Sequence, residues 1–362
     1  MISFNELIQD SEQFQSFVRE LAPAFKQPKF PLYTQDTYSA TREWKAVAAL
    51  NGRVPMASLI DPYSGKPVIG SEKPLDMYGE MPTFGNKVTF TSKEFNRIEE
   101  LERAINKNVV DPTQLIQYVN NYMERLAVGP LISQDKLFFE SFSNGTSTIL
   151  AADNLSGLAM SIDWGIYKKY VPTVWATAAS ATGLDDLKAF YKYMKDTYGV
   201  LLDKFTMNSN TFALLQAQAS TKAAITSYFS EGGTTTKFMG TPSLEAINKI
   251  LASGMMLPPI VIEDYMISTY NADGVTIKKT ENAFVDGRVS GTVGDVVSQY
   301  LWTPADEQRR PDANVIYQDV NHVLISTRTD RGKVTFESEL NAISVPTLMD
   351  QMGILVTDAT SA

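Results

Sequence analysis

Hydrophobic residues recur at spacings of three and four in several polar stretches of the chain, which is the pattern of amphipathic helices. The pattern predicts helices over residues 1–22, 92–105 and 183–198. In the second of these, Ser92 is placed to cap the first turn. The stripes are formed by Phe4, Leu7, Ile8, Phe14, Phe17, Val18 and Leu21; by Phe95, Ile98, Leu101 and Ile105; and by Leu184, Leu187, Phe190, Tyr191 and Met194.

A much longer helical pattern begins at Asp111-Pro112, where Asp is a good cap and Pro fits the first turn. It continues to Asn144-Gly145, a pair typical of helix ends. Gly129-Pro130 should kink or break it. Allowing for that interruption, the pattern predicts a rod of about 30 residues, or roughly 45 Å at about 1.5 Å per residue.

Short strand patterns follow in the second half of the chain, at residues 259–263, 283–285, 322–326 and 334–337. They alternate with helical patterns at 183–198, 208–215 and 243–253. This mixture predicts an α+β domain over residues 175–330. The last 30 residues read as a strand that returns to another part of the fold.

The segment 50–95 is rich in proline and glycine, yet it also carries large apolar residues. Proline and glycine divide a chain into turns and short strands, and loops longer than about 15 residues are usually functional or disordered. The apolar content favours an extended β-loop that packs on a partner surface. The residues expected at that surface are Met56, Ile60, Tyr63, Met77, Tyr78 and Phe84. Residues 22–31, with three prolines, are interpreted either as a linker or as an arm that docks on a neighbouring subunit.

The amino-acid composition excludes several kinds of catalytic and metal site. The chain has no cysteine and one histidine, so thiolate catalysis, cysteine-ligated metals and histidine-rich metal sites are excluded. Its 32 Lys and Arg against 41 Asp and Glu give a net charge of −9, which argues against tight non-specific nucleic-acid binding. The longest nearly apolar run, residues 254–262, is far shorter than the roughly 20 residues of a membrane span. The acidic N-terminus does not resemble a secretory signal.

The remaining polar motifs each have a structural interpretation. His322 lies in a strand-like run and is expected to be structural, while Asp185-Asp186 begins a helix and suits its positive end. Glu263-Asp264 lacks the additional carboxylates of a calcium site, and Gly287, Gly291 and Gly294 are spaced as turns and not as a dinucleotide motif. No catalytic, cofactor or metal residue is predicted. Arg309-Arg310 forms either local ion pairs or a subunit contact.

The order of these features resembles the HK97-fold major capsid proteins of tailed bacteriophages, especially the branch of phage lambda's major head protein. The similarity is carried by four stretches, which resemble the loop-to-helix junction, the end of the family's spine helix, the opening of its inserted domain and its closing strand. They are residues 81–103, 136–145, 204–212 and 338–357.

This resemblance implies an α+β capsid fold with five parts. They are an N-terminal arm at 1–49, an E-loop at 50–92, a spine helix at about 112–143, a P-domain at 93–174 plus 331–362, and an inserted A-domain at 175–330. In the family the E-loop reaches over an adjacent subunit, and A-domains meet around the five- and six-fold axes. Some members crosslink an E-loop lysine to the P-domain, for which Lys66, Lys73 and Lys87 lie in the right region.

The leading hypothesis is therefore a major capsid protein without enzymatic activity or cofactors. Its expected partners are many copies of itself as pentamers and hexamers, a separate scaffolding protein, a portal and a decoration protein. The shell would enclose double-stranded DNA without reading its sequence and would have no membrane partner. The protein would be made in the bacterial cytoplasm and reside in the virion. Two alternatives are a cytosolic enzyme using carboxylates in residues 175–330, and another phage structural protein of the tail or decoration type.

Overall fold

A computed structural model describes most of the chain, and it has the expected mixed α+β fold. The described residues are Ser16, 25–48, 75–107, 112–230, 240–270, Gly274, 276–309, 316–330, 333–347 and 351–361. The predicted helix over 1–22 lies almost wholly outside them. The helices are α1 Ser92–Asn106, α2 Pro112–Asn144, α3 Gly183–Tyr193, α4 Ser209–Ala217, α5 Ala219–Ser230, α6 Leu244–Ile250 and α7 Asp306–Arg309.

The strands form two main sheets and three separate pairs. They are β1 Thr34–Tyr38, β2 Glu43–Ala48, β3 Leu75–Glu80, β4 Thr83–Phe84, β5 Lys87–Phe90, β6 Thr146–Ile149, β7 Met160–Asp163, β8 Tyr167–Tyr170, β9 Lys204–Met207, β10 Ile260–Ile262, β11 Met266–Tyr270, β12 Ile277–Asn282, β13 Arg288–Thr292, β14 Ser298–Thr303, β15 Ile316–Val320, β16 Val323–Asp330, β17 Lys333–Pro346 and β18 Gly353–Val356.

The larger sheet is built around the 14-residue strand β17. The first half of β17 pairs with β16, and its second half pairs with β14. Strand β15 pairs with the outer edge of β16, and β1 pairs with the outer edge of β14. Strands β5 and β4 pair with the opposite edge of β17. The smaller sheet has the order β10-β9-β13-β18-β8. The pairs β2–β3, β6–β7 and β11–β12 are antiparallel hairpins outside both sheets.

Helix α2 joins the larger sheet to the rest of the molecule through an aromatic cluster. Phe138, Phe139 and Phe142 are fully buried, and their rings contact one another at centroid distances of 5.1 and 5.6 Å. Phe284 meets Phe142 edge-on at 5.9 Å. Such aromatic contacts add to the burial of apolar area, which is the main stabilising term of the core. A separate core fills the space between the smaller sheet and helices α3 to α6.

Helix α1 confirms the predicted helix, but its cap is Thr91 and not Ser92. The Thr91 backbone N–H donates to Glu94 Oε2 at 2.9 Å, which forms a capping box. The hydrogen bond from the Thr91 side chain lowers the pKa of the Glu94 carboxyl. Serine and threonine are adjacent here and both cap well, so the sequence pattern placed the helix start one residue late.

Helix α2 runs unbroken for 33 residues, about 50 Å, with Pro130 inside it. Of the kink or break predicted at Gly129-Pro130, the break is therefore wrong, and the long rod is confirmed. Near the proline, the Asn86 side-chain amide donates to the Arg125 carbonyl at 3.1 Å. Gly129 leaves room for that amide, because a Cβ there would lie 2.3 Å from Asn86 Nδ2. Asn86, between β4 and β5, thus contacts the helix one residue before Leu126, whose carbonyl loses its usual N–H partner to Pro130.

Two short segments differ from their predicted strands. Residues 283–285 connect β12 to β13 without strand pairing, and the buried Phe284 points into the aromatic cluster. His322 precedes β16 in the β15–β16 turn, where it and Asn321 have φ of 67° and 51°. A left-handed pair of this kind suits a tight hairpin turn. The predicted strand at 283–285 is therefore wrong, whereas the one at 322–326 is confirmed from Val323 onward as part of β16.

The two sheets divide the chain differently from the expected domain limits. Strands β14 to β16, within the expected A-domain at 175–330, lie in the larger sheet with β17. Strands β8 and β18, within the expected P-domain, lie in the smaller sheet. Likewise β4 and β5, within the expected E-loop at 50–92, pair with β17. The domain limits themselves stay a prediction.

Replacing Gly85 by alanine should destabilise the larger sheet by about 1–3 kcal/mol, because added volume in a packed site costs that much. A Cβ at Gly85 would lie 2.2 Å from the Ser338 carbonyl oxygen, and this backbone atom in β17 cannot move away cheaply. Urea unfolding should show the loss. Gly254→Ala is the matched control, since its Cβ would make only ordinary contacts at 3.7 Å. Equal stability of the two variants would contradict the prediction.

Candidate assembly interface

The hairpin of β2 and β3, called here the loop hairpin, leaves the body of the protein at the base of the expected E-loop. Its strands pair with each other and join neither sheet within the described residues. Trp44 in β2 lies directly opposite Gly79 in β3. Because glycine has no side chain, the indole of Trp44 covers it closely: a Cβ at Gly79 would lie 2.8 Å from Trp44 Cζ2.

Trp44 also connects the loop hairpin to helix α2. Its ring contacts that of the fully buried Trp164 at a centroid distance of 5.2 Å. The Trp164 indole N–H donates to Ser147 Oγ at 2.8 Å, and the Ser147 hydroxyl donates to the Leu137 carbonyl of α2 at 3.0 Å. The direction in which the loop hairpin leaves the body is therefore fixed by a continuous line of buried contacts to the long helix.

The sequence-predicted contact residues have different environments. Tyr78, in the loop hairpin, is 83% exposed, whereas neighbouring Met77 is partly buried against its own subunit's core. Phe84 is partly buried opposite Leu340 in the larger sheet. The Arg309 guanidinium donates to the Ala40 carbonyl at 3.1 Å and to Thr303 Oγ1 at 2.6 Å, so it makes local contacts. Met56, Ile60, Tyr63, Arg310, Lys66 and Lys73 lie outside the described residues.

Two further apolar side chains are strongly exposed and were missed by the sequence patterns. Leu32 is 70% exposed at the start of the larger sheet, and Met256 is 85% exposed after α6, where its φ is 54°. Isolated exposed apolar residues are common, but these two and Tyr78 are the most exposed of the described large apolar side chains, together with Leu158. Only a fold shows which apolar residues of a turn face solvent.

Residues 25–33, called here the N-terminal strap, lie across helix α2. Within the strap, Phe25 and Phe30 are buried, and side chains of α2 accept hydrogen bonds from the backbone between them. The Lys26 N–H donates to Glu124 Oε1 at 2.8 Å, and the Lys29 and Phe30 N–H groups donate to Asp135 Oδ1 at 2.9 and 2.7 Å. The proline-rich stretch was interpreted either as a linker or as an arm that docks on a neighbouring subunit. Its described part packs on helix α2 of its own subunit.

The strap also contacts the Glu263-Asp264 pair, which therefore makes no open cation site. Glu263 is ion-paired to Lys29 Nζ and accepts from the Tyr33 hydroxyl at 2.6 Å. Asp264 accepts from the Ser209 N–H at 3.0 Å, at the start of α4. Among the described residues, no group of three or more histidine and acidic side chains could hold a metal ion.

The two carboxylates of the Asp185-Asp186 pair lie in different environments. Asp185 is exposed, whereas Asp186 is buried and accepts from the Trp175 indole N–H at 2.9 Å. Burial raises the pKa of the Asp186 carboxyl. The helix cap itself is Thr182. Asp186 thus joins α3 to the preceding segment, a structural role that its position in the first turn alone did not indicate.

A cleft of about 850 Å³ lies between α2 and the β6–β7 and β11–β12 hairpins. Four of its charged residues form one ion-pair network: Lys136 pairs with Glu281 at 2.9 Å, and Lys279 pairs with Asp153 at 2.7 Å and Glu281 at 3.1 Å. The hydrogen bond from Lys279 lowers the pKa of the Asp153 carboxyl. This network joins the two hairpins to helix α2.

The histidine and the glycines take structural positions. His322 stacks on Trp302 at 3.8 Å, and its Nε2 lies 2.9 Å from Asp36 Oδ2 in β1. Gly287 and Gly294 have φ of 69° and 76°, as expected for turns. Gly291 lies instead in β13, where a Cβ would be 2.5 Å from Leu202 Cδ1.

In the described part of the chain, no helix is long and apolar enough to span a bilayer.

The chain is similar in structure to known proteins, but its sequence matches no family model and no curated protein. A phage-related protein from Bordetella bronchiseptica RB50 is similar with a TM-score of 0.48 and 8% identity, covering 96% of this chain and 97% of that one. A candidate capsid protein of a prophage in Escherichia coli CFT073 has a TM-score of 0.48 and 10% identity, covering 97% and 99%.

The capsid of the myovirus phage XM1 is similar with a TM-score of 0.41 and 10% identity, covering 92% of this chain and 94% of that one. In each case the similarity extends along nearly the whole of both chains. Of these three structures, the second and third are described as capsid proteins of a prophage and a phage, and the first as a phage-related protein. The lambda-like branch stays a prediction.

Proposed function

We propose that the chain is the major capsid subunit of a tailed bacteriophage and that it assembles into an icosahedral shell. The observation that carries the proposal is the loop hairpin. It leaves the body as a separate two-stranded ribbon, it is held in one direction by Trp44 and Trp164, and it presents Tyr78 to solvent. A ribbon that is fixed at its base and exposes Tyr78 beside the charged residues Glu43, Lys45 and Glu80 suits a contact with another copy of the chain.

Such a contact is heterologous, because the ribbon of one subunit meets a different surface on the next. Heterologous contacts repeat around a ring until it closes, which gives the pentamers and hexamers of a shell. Many modest contacts per subunit, made by the ribbon, the arm and the A-domain, would together hold the particle. The expected limits, with the arm at 1–49, the E-loop at 50–92 and the A-domain at 175–330, belong to this proposal.

The proposal includes no catalytic role and no cofactor. It is supported against an enzyme of the 175–330 region by the carboxylates there, since Asp186 and Glu263 are bound by partners within the fold. A tail or decoration protein would share the isolated ribbon but would form tubes or trimers instead of closed shells. Particle shape therefore separates these alternatives.

Partners follow from the same proposal. A scaffolding protein, a portal and a decoration protein would act with the subunit, which would be made in the host cytoplasm and end in the virion. A net charge of −9 suits a shell that encloses double-stranded DNA without gripping it. Lys87, a residue considered for crosslinking, is ion-paired to Glu337 at 2.7 Å within its own subunit.

Electron microscopy of the purified protein, alone and with a scaffolding protein, tests the proposal. Closed shells of uniform diameter are the expected result, with light scattering giving their mass. A monodisperse monomer under every assembly condition would count against any shell, and open tubes would favour a tail protein.

A further inference from the structure

The N-terminal strap covers a buried carboxylate that belongs to helix α2. Asp135 is fully buried, and its Oδ1 accepts from the strap's Lys29 and Phe30 N–H groups. Backbone amides of residues 29 and 30 are therefore tied to one side chain. If the strap lifted from α2, these bonds would break and the carboxylate would meet water.

The second oxygen of Asp135 is poorly satisfied. Asp135 Oδ2 and the Tyr265 hydroxyl are both buried without a well-formed hydrogen bond among the described residues, although Tyr265 is near enough to lower the pKa of the Asp135 carboxyl. A buried charge that is only partly hydrogen-bonded is costly, and the cost falls when it takes up a proton.

The surrounding charges do not neutralise Asp135 directly. Lys26 and Lys29 lie over the Tyr265 ring, 4.6 and 5.6 Å from its centroid. Lys29 Nζ is ion-paired to Glu263, and Lys26 Nζ donates to the Met266 carbonyl at 3.0 Å. From α2, Lys136 is engaged with Glu281, while Glu124 accepts from the Lys26 N–H. Asp264 points to the start of α4.

We propose that Asp135 makes docking of the N-terminal strap pH-dependent, so that the strap docks more tightly as the pH falls and opens more readily as it rises. The inference does not rest on the proposed function, because it concerns a single subunit.

The sign follows from burial. With the strap docked, burial raises the pKa of the Asp135 carboxyl from 3.8 to about 6, although the strap's N–H groups oppose the shift. Opening the strap hydrates the carboxylate and returns its pKa toward the ordinary value. The docked state therefore binds the proton more tightly, and acid favours docking by linkage. For these two values, the docking equilibrium should strengthen about tenfold between pH 8 and pH 5.

Hydrogen exchange on the monomeric subunit tests this, since amide protection reports the opening equilibrium even when the open state is rare. After correction for intrinsic exchange rates, the strap peptide covering residues 25–33 should be about tenfold better protected at pH 5 than at pH 8. Peptides from helix α5 serve as the internal reference. Constant or falling strap protection on acidification would overturn the inference.

Variants assign the effect to one group. Asp135→Asn should keep the strap docked and remove the pH dependence, whereas Asp185→Asn, at an exposed aspartate, should leave it unchanged. His322→Gln alters the contact to Asp36 in β1, which lies outside the strap, and should also leave the dependence intact. Retained pH dependence in Asp135→Asn, or its loss in His322→Gln, would overturn the assignment.

A further variant covers the case in which Asp135→Asn does not fold. Tyr265→Phe removes a hydroxyl that lowers the pKa of Asp135, so the protection profile should move to higher pH. A merely structural role for Tyr265 would weaken protection equally at every pH, and that outcome would also contradict the inference.

Discussion

Replacing Gly79 by valine is expected to abolish shell assembly while leaving the subunit folded. The valine side chain would occupy the place of the Trp44 indole, because a Cβ at this position would lie 2.8 to 2.9 Å from three atoms of that ring. Trp44 would then leave its contact with Trp164, and the loop hairpin would lose its fixed direction from helix α2. Because a shell needs every subunit contact to repeat in the same geometry, a small change of direction should prevent closure.

Circular dichroism and particle counts by electron microscopy measure the two parts of this prediction. Glu80→Gln, an exposed change in the same strand, should assemble like the unaltered chain. Combining Gly79→Ala with Trp44→Phe should restore part of the assembly, since the smaller ring makes room for the added methyl group. Normal shells from Gly79→Val would sink the idea that the hairpin base sets the geometry.

The elements that the sequence predicted well are those whose pattern is local. The stripe of Phe95, Ile98 and Leu101 marks α1, and the capping pair at Asp111-Pro112 marks the start of α2, because helix period and capping depend on neighbours within a turn or two. Helix α2 continues through Pro130, and Asn86, which contacts it nearby at the Arg125 carbonyl, lies 39 positions before Arg125, so no local pattern shows that contact.

Strand β17 was predicted as a short strand at residues 334–337 and, from the family resemblance, as part of a closing strand over 338–357, but not as one continuous strand of 14 residues. Its later residues, up to Pro346, are buried on both faces, so the alternation that marks a half-buried strand disappears. The central contacts of the candidate interface were invisible for a related reason. That Trp44 covers Gly79 depends on the register of two strands, and the pairing of Asp135 with residues 29 and 30 joins segments more than 100 residues apart.

Replacing Asp135 by asparagine is expected to stabilise the subunit at pH 7, by up to about 3 kcal/mol, and to make no difference near pH 4. Asparagine keeps an oxygen for the Lys29 and Phe30 N–H groups but carries no charge. Burial raises the pKa of the Asp135 carboxyl to about 6, against 3.8. For a pKa raised by folding, the stabilising contribution is complete below the unfolded value and is lost as the pH rises through the folded one.

Urea unfolding of the monomer at pH 4 and pH 7 measures the difference between the two chains at each pH. The unaltered chain should lose stability relative to Asp135→Asn as the pH rises from 4 to 7, with half of the loss reached at about pH 5 and most of it by about pH 6. Glu140→Gln is a matched comparison on the same helix, because burial also raises the pKa of Glu140 but no strap amide bonds to it. If Asp135→Asn is less stable by the same amount at both pH values, the carboxylate is a structural acceptor, and its charge carries no cost.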